Sequence, residues 1–373
     1  MMTNICHRKN RLKIRISILI LTVIALTSIF KEVSLSILHV EKNFSDKKDG
    51  GLNNFTNFPK IPIKHQLGLE MSNNLTTDRT KFVVVLRRAS QTKAPSDLKL
   101  DGNRVTELKD IFISIKTASQ NHVSRLQLLI NTWVQQAKNQ TYIFTDQRDE
   151  ALENVMAGHI VNTNCSRDHN RRSLVCKMGH EFDMYIVSEL RWWCHVDDDT
   201  YLNVKELVRL LAGYRHTEDW YLGKPSLDHP IEVINHVNPG PKLAFWFATG
   251  GAGFCVSRAL ALKMVPYAGG GRLTKAGDQI RLPDDCTIGY IINSLLHKEL
   301  TVIDKFHSHL EALWRISPAD IITQISLSYL MTKERTNIVN VPGFPVEKDP
   351  TRLWSIHCLI HPLSSECLRH VDR

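Results

Sequence analysis

From Asp110 onward, short apolar runs alternate with longer segments whose apolar residues recur at helical spacing. Ile111–Ile115, rich in β-branched residues, reads as a strand. His122–Gln136 follows, a predicted helix with Val123, Leu126, Ile130, Trp133 and Val134 on one face. Thr141–Thr145 is a second strand ending at Asp146, and a helix over Arg172–Glu189 would bury Met178, Phe182, Tyr185 and Ile186. Trp192–Val196 is a third strand that runs straight into Asp197, Asp198 and Asp199, and a helix from Val204 to Ala212 follows. Strands alternating with helices predict an α/β fold with a mainly parallel sheet and right-handed crossovers. Ligands in such sheets sit beyond the carboxyl ends of the strands, where the three acids fall.

The second half is less regular. Trp220–Gly223 is a short strand, and Pro225–Lys242, with Pro230, Pro239 and Pro241, is loop. Phe245–Phe254 (FWFATGGAGF) carries Gly250, Gly251 and Gly253, which permit positive φ and close approach of backbone to a ligand. It lacks the G-x-x-x-x-G-K-[ST] pattern, which excludes a P-loop. Pro283, Asp284, Asp285 and Cys286 precede a helix predicted over Thr287–His297, and either acid would suit its positive end as a cap. Phe306–Glu311 (FHSHLE) places His307 and His309 on one side of an extended segment, as metal ligands or as ordinary surface histidines.

The N-terminal pattern differs. Arg8, Lys9, Arg11, Lys13 and Arg15 precede the uncharged run Ile16–Phe30; Lys31 and Glu32 interrupt it before Val33–Val40. The positive flank predicts a cytoplasmic tail over 1–15, a signal anchor over 16–40 and a type II chain entering the secretory pathway. A cleaved signal peptide is the competing reading, disfavoured because no clean small-x-small cleavage site follows the apolar run. Residues 41–105, polar except for Lys81–Leu86, read as a flexible luminal stem, and 106–373 as the catalytic domain. With 43% apolar and 23% charged residues among 373, one sizeable domain with appendages is expected. Cysteine usage fits the lumen: seven of the eight lie beyond the anchor without a C-x-x-C pair, and Cys165–Cys176 and Cys358–Cys367 are the obvious local disulfides. Sequons at Asn43, Asn54, Asn74, Asn139 and Asn164 agree. The net charge of +9 comes largely from the first fifteen residues, with no basic helix interleaved with aromatics, so nucleic-acid binding is not expected.

Three successive carboxylates repel one another, and a fold that keeps them together usually holds a cation there. Hard oxygen ligands at a strand end suit Mg²⁺ or Mn²⁺ with a diphosphate completing the shell; a charged surface turn is the plainer alternative. HVDDDTYLNV, WFATGGAGFCVSRALALKM, RLPDDCTIGYI, FHSHLE and the late SIHC, in this order and topology, resemble the Fringe proteins among metal-dependent inverting β1,3-glycosyltransferases of GT-A, Rossmann-like fold. Related core-1 and β1,3-galactosyltransferases share the acids and the glycine turn but do not usually carry LPDDCTIGYI. The resemblance covers roughly Asp110 to Cys367.

The resemblance implies transfer of N-acetylglucosamine from UDP-GlcNAc to the 3-hydroxyl of O-linked fucose on EGF-like repeats of Notch-type receptors, in the Golgi. It implies Asp199 and His309 as Mn²⁺ ligands, Asp198 and Arg125 as donor contacts, and Asp285 as catalytic base. A helix N-terminus would hold Asp285 ionised. The implied disulfides are Cys165–Cys176, Cys194–Cys255 and Cys358–Cys367, leaving Cys286 free. Lys116–Arg125 carries fewer basic residues than the family pattern. Rival readings are a β1,3-galactosyltransferase, a glycan- or receptor-binding protein without turnover, and a metal-dependent phosphoesterase; the last would normally need more His and Asp ligands.

Overall fold

The computed structural model describes residues 104–237, 240–365 and 367–368. The tail, the anchor, nearly all of the stem with its Lys81–Leu86 run, and three of the sequons lie outside them. Among the described residues no helix is long and apolar enough to cross a membrane.

The first five strands are β1 (Ile111–Lys116), β2 (Thr141–Thr145), β3 (Ile160–Asn162), β4 (Trp192–Asp197) and β5 (Thr200–Leu202). They are followed by β6 (Tyr221–Gly223), β7 (Ile231–Val233), β8 (Leu243–Phe245), β9 (Phe254–Ser257), β10 (Thr301–Val302), β11 (Phe306–His307) and β12 (Ser326–Ser328). Seven of these form one sheet in the order β10-β6-β9-β4-β1-β2-β3. All its pairings are parallel except the two made by β9, so the expected mainly parallel α/β architecture is present. Every residue of β1 is buried because both faces of the sheet are covered. Ile111, Ile113 and Ile115 pack into one core with Trp192, Cys194 and Val196. Phe112 joins Trp193, Phe144 and Phe254 in the other. A second sheet, β11-β12-β5, lies at the carboxyl end of β4.

The helices are α1 (Gln127–Asn131), α2 (Glu150–Val155), α3 (Arg171–Ser188), α4 (Val204–Ala212), α5 (Arg258–Ala268), α6 (Arg272–Ile280), α7 (Asp284–Gly289) and α8 (Leu353–Ile360). α3 and α4 have the expected bounds to within a residue, with Asn170 and Asn203 as N-caps. The Asn170 side chain accepts from Ser173 N, and that of Asn203 from Glu206 N, satisfying backbone donors that would otherwise be orphaned.

Several expectations need correction. His122–Gln136 is broken: a π-helical turn over His122–Leu126 leads into α1, and Thr132 leaves helical space at φ −116°, ψ −110°. The wider turn rotates Val123 off the buried face, to 89% exposure. The exit at Thr132 lets the Trp133 indole donate to Thr200 O at 3.1 Å. Pro225–Lys242 contains β7, which pairs antiparallel with β8. The helix expected at Thr287 begins at Asp284, with Pro283 at the cap position and a π-helical turn over Tyr290–Leu295. Asp284 and Asp285 therefore lie inside the first turn. Disulfides join Cys165 to Cys176, Cys194 to Cys255 and Cys358 to Cys367, and Cys286 is free and buried.

Candidate active site

Strands β1 and β4 run side by side with Lys116 in register with Asp197, so both deliver polar side chains to one edge of the sheet. Lys116 Nζ lies 3.0 Å from Asp197 Oδ1 and pairs as well with the Asp284 carboxylate. Asp198 is held by three donors: Thr117 Oγ1 at 2.7 Å, Asn121 Nδ2 at 2.8 Å and the Arg125 guanidinium at 3.0 Å. Asp199 accepts from Ser328 Oγ at 3.2 Å and from Arg125 at 3.4 Å. Its Oδ2 faces His309 Nδ1 at 3.8 Å, beyond hydrogen-bond length. Burial, reinforced by the charges of Asp197 and Asp198, pushes the Asp199 carboxyl up to about 7. Burial holds His309 below the usual histidine range, so its ring is neutral and able to ligate.

The glycine turn fits between these groups. Gly253 has φ +83°, where a Cβ would come within 2.9 Å of His195 O. Gly250 N donates to Asp285 Oδ2 at 3.1 Å, and Cys286 N to Asp285 Oδ1 at 2.7 Å. Asp285 is half-buried and reaches the cleft. Its carboxyl is raised, by burial first and then by the charge of Asp284, against the opposing pull of the Gly250 N–H and Lys116. The expectation that a helix N-terminus would keep it low is thus corrected: one turn of helix is outweighed by burial beside a second carboxylate.

A cavity of about 420 Å³ is lined by Arg125, Asp198, Asp199, Asp285 and His309 together, all five of the expected site residues. His307 turns away: its Nε2 lies 2.9 Å from Gln324 Oε1 and its Nδ1 3.1 Å from Glu311 Oε2. The two histidines do not share a site. Sequence reading missed Lys116, Thr117, Asn121 and Ser328. Lys116 carried a signal, a cation ending an apolar strand; Ser328 carried none.

A divalent cation fits the donor set. Asp199 bears two neighbouring negative charges, and the neutral His309 ring stands opposite without bonding to it, so an ion between them would relieve the first and engage the second. Among the described residues the one group of three close ligating side chains is Cys165, Cys176 and His180, where both sulfurs are tied in a disulfide. At Asp199 and His309 the remaining ligands would come from substrate or water.

The family model described as Fringe-like matches residues 106–364. The chain belongs to the Fringe family. The lunatic fringe β1,3-N-acetylglucosaminyltransferase of Danio rerio is 53% identical over 261 residues, 69% of this chain and 70% of that protein. The human lunatic fringe enzyme is 50% identical over 264 residues, covering 70% and 69%. The Fringe glycosyltransferase of Drosophila melanogaster is 49% identical over 266 residues, covering 70% and 65%. Against this Fringe background the matched span takes in every residue of the cavity named above.

Proposed function

We propose that this Fringe-family chain is an inverting β1,3-N-acetylglucosaminyltransferase of GT-A type. It would move N-acetylglucosamine from UDP-GlcNAc to the 3-hydroxyl of O-linked fucose on EGF-like repeats of Notch-type receptors. The observation that carries this reading is the division of labour in the cleft. Asp285 is held by two backbone N–H groups with the Cys286 thiol beside it, while Asp198, Asp199, Arg125 and His309 line the same cavity. Inversion requires a single in-line attack and hence one base. Asp285 would take the proton of the acceptor hydroxyl as its oxygen attacks the anomeric carbon. The Gly250 and Cys286 amides orient the carboxylate for that transfer. Arg125 and Asp198, already paired at 3.0 Å, would orient the donor, the guanidinium meeting phosphate or ribose oxygens.

Asp199 and His309 would hold Mn²⁺, which when bound neutralises charge on the departing diphosphate. Residues 16–40 would anchor the chain in the Golgi membrane with the catalytic domain luminal.

The test offers the full-length chain UDP-GlcNAc or UDP-Gal with an O-fucosylated EGF repeat and Mn²⁺, and follows UDP release. Turnover with UDP-GlcNAc alone, abolished by chelation and by Asp199→Ala, is expected. Turnover with UDP-Gal would move the chain to a galactosyltransferase specificity. A folded chain without turnover on either donor would favour the binding-protein reading.

A further inference from the structure

Behind Asp285 runs a buried chain of charges that the proposed reaction does not use. Glu181 Oε2, on α3, accepts from Ser114 Oγ at 2.6 Å and faces His195 Nδ1 at 2.7 Å. His195 Nε2 lies 3.4 Å from Asp197 Oδ1, and Lys116 Nζ lies 3.0 Å from the same oxygen. Lys116 then reaches Asp284, the residue that begins α7. Burial alone would discharge His195, but Glu181 and Asp197 outweigh it and raise the ring to about 9. The signs therefore alternate from Glu181 through His195, Asp197 and Lys116 to Asp284. Lys116 and Asp284 side chains are only 9% and 4% exposed, so solvent screens their attraction little.

We infer that Lys116 is a positioning residue for proton acceptance: by pairing with Asp284 it fixes the start of α7 and cancels the charge beside Asp285. That leaves Asp285 as the ionised carboxylate facing the cleft. The inference rests on Asp285 being the base.

The reason is electrostatic competition within a doublet. Two adjacent buried carboxylates resist simultaneous ionisation, and a proton held by Asp285 would disable it as a base. The geometry distinguishes the two. Asp284 turns its Oδ2 to Lys116 on β1, whereas Asp285 receives two backbone amides, from the glycine turn and its own helix, with the Cys286 thiol beside it and no cation paired to it among the described residues. The charged and titratable groups facing Asp285 are Lys116 from β1, His195 and Asp197 from β4, Tyr221 from β6, and Asp284 and Cys286 from α7. Lys177, on α3, is engaged by Asp146 at 2.6 Å and by Thr117 O at 2.8 Å. Of the two cations among those facing groups, Lys116 alone touches Asp284, and His195 is engaged by Glu181 and Asp197.

The experiment measures kcat and KM against pH for the full-length chain with UDP-GlcNAc and an O-fucosylated EGF repeat. Variants are Lys116→Met, Asp284→Asn, the Lys116→Met/Asp284→Asn pair, and Asp285→Asn. Asp284→Asn should move the acidic limb of kcat down by about one pH unit, and Lys116→Met up by about one or more. The double variant should return it toward the parent. Donor KM should stay within about twofold and Mn²⁺ binding, followed by the paramagnetic resonance of free Mn²⁺, should not move; both readouts separate a charge effect from damage to the donor site. An acidic limb that stays put in Asp284→Asn overturns the inference, as does a Lys116→Met loss equal at every pH. If Lys116→Met does not fold, Asp284→Asn decides, since it leaves Lys116 paired with Asp197. Turnover retained by Asp285→Asn would instead sink the base assignment and the inference with it. An inactive Asp285→Asn beside an unmoved limb sinks the Lys116 inference alone.

Discussion

Replacing Cys194 and Cys255 together by alanine should destabilise the domain more than removing either of the other disulfides. The two cysteines stand directly opposite in register on β4 and β9, and both are buried. Their bond spans 61 residues of sequence, against 11 for Cys165–Cys176 and 9 for Cys358–Cys367. That long loop contains the acidic triplet, α4 and the glycine turn. Loop-closure entropy makes the constraint worth about 4 kcal/mol for the long loop and about 2.5–3 kcal/mol for each short one. The decisive quantity is the gap of about 1.5 kcal/mol, because alanine removes the same sulfur atoms in every pair.

Urea unfolding followed by tryptophan fluorescence reads this directly. With a slope of about 2–3 kcal/mol per molar urea, the Cys194/Cys255 variant should unfold about 1.5 M earlier than the parent. It should also unfold about 0.6 M earlier than either short-loop variant at unchanged slope. Should the three variants unfold together, or the Cys194/Cys255 pair prove the mildest, the denatured chain would not be gaining the entropy assumed. The β4–β9 ladder would then be sufficient to hold the acids against the glycine turn by itself.

The same Gly→Ala change should have opposite signs at two positions on the face of the sheet that α3 covers. At Gly289 a Cβ would lie 2.3 Å from Phe247 Cβ and 2.9 Å from Trp246 O, so backbone must shift, and a loss of about 3 kcal/mol or more is expected in a thermal melt. At Gly179, inside α3, the nearest atom is Leu273 Cβ at an ordinary 3.6 Å, and alanine should stabilise by about 0.5–1 kcal/mol. A pH prediction follows from His195, whose folded-state value of about 9 lies above the usual 6.5. Its contribution is complete below about pH 6.5 and is lost as pH rises toward 9, on the order of 3 kcal/mol. Urea midpoints at pH 6.5 and 9 should therefore diverge in the parent and draw together in His195→Gln. Equal losses in both proteins would put the proton elsewhere.

Where the sequence was legible, local pattern and final structure agreed. β4 is an apolar run ending in acids, and α3 and α4 carry helical spacing and capping asparagines, so neither needed a distant partner to be recognised. What escaped was set from afar. β5, β11 and β12 are two or three residues long and exist as strands only through one another. α5 contains Pro266, and α6 reads RLTKAGDQI, a largely polar string that is helical because Leu273, Ala276 and Ile280 find the core. The break at Thr132 answers to Thr200, far along the chain.

The site follows the same logic in its doublets, and this gives the ambiguities of the sequence a physical resolution. DD and HSH each offered two equivalent candidates. Lys116, 168 residues from Asp284, engages that acid and leaves Asp285 to the cleft. Gln324 and Glu311 engage His307 and leave His309 facing Asp199. In the triplet, Asp197 is taken by Lys116 and His195, and Asp198 by Thr117, Asn121 and Arg125. Asp199 keeps the weakest set of partners and a carboxyl raised to about 7, where that of Asp197 is lowered, and so has most to gain from a cation. In each case the proposed base or metal ligand is the member of the group whose charge or lone pair the fold engages least. For the acids that selection is made chiefly by partners far along the chain, Lys116 for Asp284 and Thr117, Asn121 and Arg125 for Asp198, which no local spacing encodes.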